Sequence, residues 1–284
     1  MQKFTGLFAI STAALALAFV LVAILRRFLL RRPLDVFSMW RETRMVVYAA
    51  VTAALYFALL VPFKWAVLVP GLTEIRPGAA APLALSFLLG PAAAWGAAIG
   101  NFIGDFFGMF GPGSLVGFVG NFLLAYAPYA IYRAWIGHRS PIGIGWRGPF
   151  VAAVGIIAGS LACGTFIGWG AHLIGLAPFR VLAPVIVINN VIVGLVLALP
   201  LVLLLYPRAA AWGVTYYEIM DEKDAAPAPT AKLGSVIFIV AALTGLITGV
   251  ALQSFLGVDA TAPWVLGLAV SPSILAMFVG LLLL

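Results

Sequence analysis

Nine runs of mainly apolar residues, most of them long enough to cross a bilayer, dictate what this chain can fold into. A helix that spans the hydrocarbon core needs about 20 such residues. The runs cover 4–25, 45–61, 77–89, 91–107, 114–135, 150–170, 181–206, 233–255 and 263–284. Gly90-Pro91 separates the third from the fourth, and 77–89 alone is short for a crossing. That pair reads as two short helices rather than one broken one. Composition agrees: 64% of the 284 residues are hydrophobic and 9% are charged, where soluble domains carry roughly a quarter charged residues. The expected fold is an all-α polytopic membrane protein.

The formal net charge is +7, but the basic residues gather at the ends of apolar runs. There they orient helices instead of binding nucleic acid. Arg26, Arg27, Arg31, Arg32, Arg41 and Arg44 form a block expected to stay cytoplasmic. With the N-terminus outside, Arg133, Arg139, Arg147, Arg208, Lys223 and Lys232 are inside as well. Only Lys3, Lys64, Arg76 and Arg180 are then outside, a split of twelve to four. The expected placement is multi-pass in the cell membrane, N-terminus out and C-terminus in. The first run reads as an anchor, since only Lys3 precedes it and no small-residue cleavage site follows.

Two polar connections divide the chain. Residues 1–44 are expected to hold one transmembrane helix and a basic cytoplasmic linker. Residues 45–206 hold six helices, and 207–232 is a cytoplasmic linker. Its acidic and Ala/Pro-rich part, from Glu218 to Lys232, reads as flexible. Residues 233–284 form two accessory helices that carry almost no polar residues.

Strongly polar side chains inside a bilayer are costly and read as functional by default. Asn101 and Asp105 stand at i and i+4 on one helix face. Asn121 belongs to a second Gly-Asn-Phe triplet. Both asparagines lie roughly 10–12 Å below the turn at 108–113, counting about 1.5 Å per residue. Asn189 and Asn190 lie roughly 15 Å deep on the same arithmetic. Lys64, Trp65, Glu74, Arg76, Trp169, His172 and Arg180 stand around them at the outer rim. The opposite, cytoplasmic halves look nearly featureless, as suits a pocket open to one side only. Arg76, Asn101, Asp105, Asn121, Trp169, Asn189 and Asn190 are therefore the candidate substrate-binding residues. For each asparagine the plain alternative is hydrogen-bonded glue between helices. For Asp105 it is an ion pair with Arg76 or burial in protonated form.

Other chemistries lack their signatures. There is no G-x-x-x-x-G-K-[ST] loop and no G-x-S-x-G elbow. His138 and His172 fall on opposite membrane sides, and Cys163 is the single cysteine, so no metal site and no cofactor are expected. Nothing points to an enzyme.

The stretch Arg76-Pro77-Gly78, Pro82, Gly90-Pro91, Gly96, Gly100-Asn101 and Asp105 resembles the substrate-binding S components of energy-coupling factor (ECF) transporters. The likeness is greatest to the riboflavin-transporter-like group. Ala49-Ala50-Val51-Thr52-Ala53-Ala54 with Ala58 is similar to the Ala-x-x-x-Ala docking motif of that family, and small residues four apart let another helix backbone come close. The resemblance covers about 45–206. It implies a six-helix S-component bundle with one extra N-terminal and two extra C-terminal transmembrane helices. It implies a vitamin-like substrate held near the extracytoplasmic end, and docking through Ala50 and Ala54. A transmembrane coupling protein and two cytoplasmic ATPases would come from other chains. The extra helices could occupy or modify the coupling surface. A self-sufficient secondary transporter or channel is the second reading, and a membrane-embedded enzyme or scaffold the third.

Overall fold

The computed structural model describes residues 34–63, 67–69, 73–74, 76–108, 110–141, 144–221, 225–255 and 263–284. The run at 4–25 lies outside them, as do Lys64 and Trp65. The longer helices are α1 (Thr43–Leu60), α2 (Ala80–Leu89), α3 (Pro91–Asp105), α4 (Pro112–Ile136) and α5 (Arg147–Leu173). Then comes α6, which runs as Phe179–Val193, a π-helical turn at Gly194–Ala198, and Leu199–Ala211. It is followed by α7 (Ala231–Phe255) and α8 (Pro263–Leu283). Six of these segments, all but α2 and α3, are long and apolar enough to cross a membrane.

Gly90 makes the break between α2 and α3. Its φ of 55° is one that side-chain-bearing residues rarely adopt, and Pro91 then opens α3 at its first position. The two short helices expected from the sequence are thus present. A feature not expected is a ribbon between α1 and α2. Strands β1 (Val67–Val69) and β2 (Thr73–Glu74) pair antiparallel, Val67 opposite Glu74 and Val69 opposite Thr73. Elements this short give no periodic signal.

α1 and α3 lie side by side in the same direction, held by small residues. A Cβ on Gly96 would stand 2.7 Å from the Ala49 carbonyl oxygen, and one on Gly100 would stand 2.6 Å from that of Ala53. Backbones this close gain dispersion contact that larger side chains would block. Ala49 and Ala53 are accordingly buried. Ala50, Ala54 and Ala58, on the other side of the same helix, are exposed.

The C-terminal pair packs elsewhere. α7 lies on α4, α5 and α6, and α8 lies on α5. Thr165 Oγ1 donates to the Ala242 carbonyl at 3.1 Å. Gln253 is 4% exposed, and its Oε1 accepts from the Arg180 backbone N–H at 2.6 Å. α7 is therefore joined to the bundle by polar contacts as well as apolar ones.

The end of the bundle away from Arg76 is not featureless, contrary to expectation. Asp35, just before α1, is 2% exposed and pairs with Arg133 of α4, also 2% exposed, at 2.5 Å. Tyr126 and Tyr129 donate to the same carboxylate at 2.7 and 3.2 Å. Arg133 also donates to the Leu284 carbonyl at 3.0 Å. Arg133 reads in the sequence as one more basic flank at a helix end. Its buried role depends on an acidic partner 98 positions away, which no local pattern reveals. Within the stretch from Glu218 to Lys232, Ala225 and Ala228 are buried, and Glu218 forms a capping box with Thr215 on the short helix Tyr216–Ile219.

Candidate substrate-binding site

Arg76 enters the bundle immediately before Pro77, where a 3-10 turn leads into α2. Its guanidinium Nη1 donates to Asn101 Oδ1 of α3 at 3.0 Å. Asn101 Nδ2 in turn donates to Asp105 Oδ2, one helical turn on, at 3.4 Å. The i, i+4 spacing makes this possible, since it stacks the two side chains on one face. Asn101 is 2% exposed and Asp105 6%. A cation, an amide and a carboxylate thus form one chain. The amide accepts a hydrogen bond from the cation with its oxygen and donates one to the carboxylate with its nitrogen.

α4 faces this chain with Gly117. A Cβ there would stand 3.1 Å from Asn101 Nδ2 and 3.9 Å from Asp105 Oδ2. The missing side chain lets the α4 backbone come close to both polar groups. The Gly117 carbonyl accepts from Asn121 Nδ2 at 2.8 Å, and Asn121 Oδ1 accepts from Tyr56 of α1 at 3.0 Å. The two Gly-Asn-Phe asparagines therefore meet around one residue. Both polar ends of Asn121 are engaged with the bundle, so it fixes the α1–α4 contact below the Arg76–Asn101–Asp105 chain.

α5 and α6 contribute a second polar pair. Asn190 Nδ2 donates to Cys163 Sγ at 3.6 Å. The first part of α6 also contacts the 3-10 turn that follows Arg76, which brings this pair to the same region. Neighbouring Asn189 is half-buried, and its Nδ2 is a buried donor with no acceptor among the described residues. Above Asp105 the α3–α4 turn carries an aromatic group. Phe106 and Phe110 stack with ring centres 4.2 Å apart, and Phe102 meets both edge-on.

Trp169 stands apart from this group. It is 2% exposed, and its Nε1 donates to the Gly267 carbonyl of α8 at 3.3 Å. His172, one turn on, is 3% exposed with Nδ1 3.4 Å from Gln253 Nε2. Both face the C-terminal helices. Tyr56 and Cys163 are the residues of this region that the sequence reading did not select. Tyr56 is four residues from Thr52 on the buried face of α1, a spacing that places it inward. Among the described residues no group of three or more His, Cys, Asp or Glu could hold a metal ion.

The arrangement brings donors, acceptors, a cation and a carboxylate together beside a glycine. It lacks a nucleophile paired with a base. The profile of the QueT transporter family matches residues 46–207, more than half of the chain. The chain belongs to the QueT transporter family. It is thus an S component of the ECF type, for a small vitamin-like molecule, and a transporter rather than an enzyme. None of the curated proteins and none of the solved structures matches the chain. The matched residues span α1 to α6 and contain every member of the polar cluster, whereas α7 and α8 lie beyond them.

Proposed function

We propose that the chain captures a purine-like base, a queuosine precursor, at the Arg76–Asn101–Asp105 chain and passes it inward with an ATP-driven coupling module. The observation that carries this reading is the continuous hydrogen-bonded order of cation, amide and carboxylate beside Gly117. A purine-like base presents N–H donors and a carbonyl acceptor along its edges. A carboxylate suits the donors, while Arg76 and the asparagine amides suit the acceptors. Asn189 and Asn190 flank the base from α6, and Asn121 positions Tyr56 and Gly117 beneath it. Trp169 belongs to the supporting wall against α8.

The same reading sets orientation. The Arg76 end is extracytoplasmic and the Arg133 end cytoplasmic, in line with the twelve-to-four division of basic residues. Residues 45–206 form the binding unit. The exposed face of α1 with Ala50 and Ala54 docks the transmembrane coupling protein, which two ATPases drive. The packing of α7 and α8 on the opposite helices supports this, because they leave that face open.

Uptake tests the whole reading. Cells that express the chain with a coupling protein and two ATPases are expected to accumulate a labelled queuosine precursor. Accumulation should stop in Asn101→Leu and in a Walker-lysine variant of the ATPases. Uptake that continues without the ATPases would replace this reading with a self-sufficient carrier.

A further inference from the structure

A ridge of aromatic rings runs along the seam between α3 and α4. On α4, Phe118, Phe122 and Tyr126 stand at i, i+4 and i+8 and share one face. Opposite them stand Trp95 and Phe102 of α3 and, just past its end, Phe106. The rings meet in series. Tyr126 lies 5.6 Å from Phe122, centre to centre, and Phe122 lies 5.1 Å from Trp95. Trp95 lies 6.4 Å from Phe118, Phe118 6.1 Å from Phe102, and Phe102 5.7 Å from Phe106. Phe106 is exposed, and Trp95, Phe102, Phe118 and Phe122 are half-buried. The described residues thus cover the ridge only in part.

The N-terminal part of the chain arrives at this ridge. Traced backwards from α1, the chain passes Trp40, whose ring meets that of Trp95 edge-on at 5.6 Å. It then passes Val36, whose carbonyl accepts from Trp95 Nε1 at 2.8 Å. It reaches Asp35, whose carboxylate accepts from the Tyr126 hydroxyl at 2.7 Å. The described backbone therefore crosses α3 and arrives on α4, at the Arg133 end of the ridge. Only the eight residues 26–33 separate the apolar run 4–25 from Leu34, a reach of at most about 29 Å.

The run also matches the ridge in shape. Ala9, Ala13, Ala16, Val20 and Ala23 recur at alternating steps of four and three, which on a helix is one face. From Ala9 to Ala23 that face is about 21 Å long, against about 16 Å of ridge from Trp95 to Phe106, at 1.5 Å per residue. Phe4, Phe8, Leu15 and Phe19 fall on the opposite side. Small residues let a helix come close, and small faces interlock with protruding large side chains.

We infer that residues 4–25 pack along the α3–α4 ridge, with the face of Ala9, Ala13, Ala16, Val20 and Ala23 on its rings. Because the run leads to Asp35, Ala23 lies toward Trp95 and Phe122, and Ala9 toward Phe102 and Phe106. Phe102 and Phe106 each follow a member of the polar chain by one position, so the first run covers the helix face next to Asn101 and Asp105. It leaves the open face of α1 with Ala50 and Ala54 clear. The inference does not depend on what the site binds.

Photo-cross-linking of the full chain in membranes tests this, with p-benzoylphenylalanine in place of Phe118. Irradiation should join position 118 to the tryptic peptide that ends at Arg26, within a single chain, as read by mass spectrometry. The same probe in place of Leu55, on the exposed side of α1, should not capture that peptide. Ala16→Trp, which fills the small face, should remove the cross-link from position 118, and Leu15→Trp, on the opposite face, should keep it. Capture of the peptide from position 55, or capture from position 118 of lipid or a second copy alone, overturns the inference. So does a cross-link that Ala16→Trp leaves at full strength, or one that both tryptophan variants lose equally.

Discussion

Arg76 and Asn101, 25 positions apart, are joined by a 3.0 Å hydrogen bond from guanidinium to amide oxygen. This bond ties the entry to α2 to the middle of the polar face of α3. Asn101 then spends its amide nitrogen on Asp105. Removing the asparagine takes an acceptor from the half-buried Arg76 guanidinium and a donor from the buried Asp105 carboxylate.

Asn101→Leu is therefore expected to reduce affinity for the transported base by about ten- to a hundredfold. Losing one buried polar contact costs about 1–3 kcal/mol, and each 1.4 kcal/mol is a factor of ten. Titration calorimetry on the purified protein reads this directly. An affinity within twofold of the parent would remove Asn101 from the site.

Asn121→Leu should behave differently, although the sequence presents the two asparagines as equivalents. Its partners are the neutral Tyr56 hydroxyl and Gly117 carbonyl, which hold helices together, whereas those of Asn101 are the charged Arg76 and Asp105. The expected result is a lower melting temperature, from a loss of about 1–3 kcal/mol, with affinity of the folded fraction within a few-fold of the parent. Differential scanning fluorimetry beside calorimetry separates the outcomes. Unchanged melting with lost affinity would make Asn121 a direct ligand.

How far the sequence carries is visible in these two residues. Their depth and shared turn follow from counting, because helical rise is fixed and the loop between them is short. The break at Gly90-Pro91 is legible for a similar reason, since glycine and proline punctuate helices. The partners are not. Tyr56 reaches Asn121 across 65 positions, and Asp35 reaches Arg133 across 98. Pairings of this kind depend on which helices become neighbours, information that no local pattern contains. The exposed and buried sides of α1 were likewise ambiguous, since alanines occupy both. Only the approach of Gly96 and Gly100 assigns Ala49 and Ala53 to the inside.

The Asp35–Arg133 pair should matter for folding more than for binding. Arg133→Met leaves the Asp35 carboxylate buried with only its hydroxyl and backbone donors. Breaking a buried ion pair from one side typically costs about 3–5 kcal/mol. The variant is expected to give much less monodisperse protein in size-exclusion chromatography, and the double change Asp35→Leu/Arg133→Met should recover part of it. Full yield from Arg133→Met alone would show that the pair contributes little.

Ala54→Trp addresses the open face of α1. Ala54 is exposed, so the larger side chain fits without disturbing the bundle. Pull-down of the coupling protein should be lost and base affinity kept. Intact pull-down, or affinity lost in parallel, would move the docking surface away from α1.

The central claim is that the Arg76–Asn101–Asp105 chain holds a purine-like base. Native mass spectrometry of the purified full chain tests it most directly. The account predicts an adduct with the mass of a queuosine precursor, present in the parent and absent from Asn101→Leu that elutes as folded, monodisperse protein. An adduct of unrelated chemistry, or one that Asn101→Leu retains in full, would contradict it.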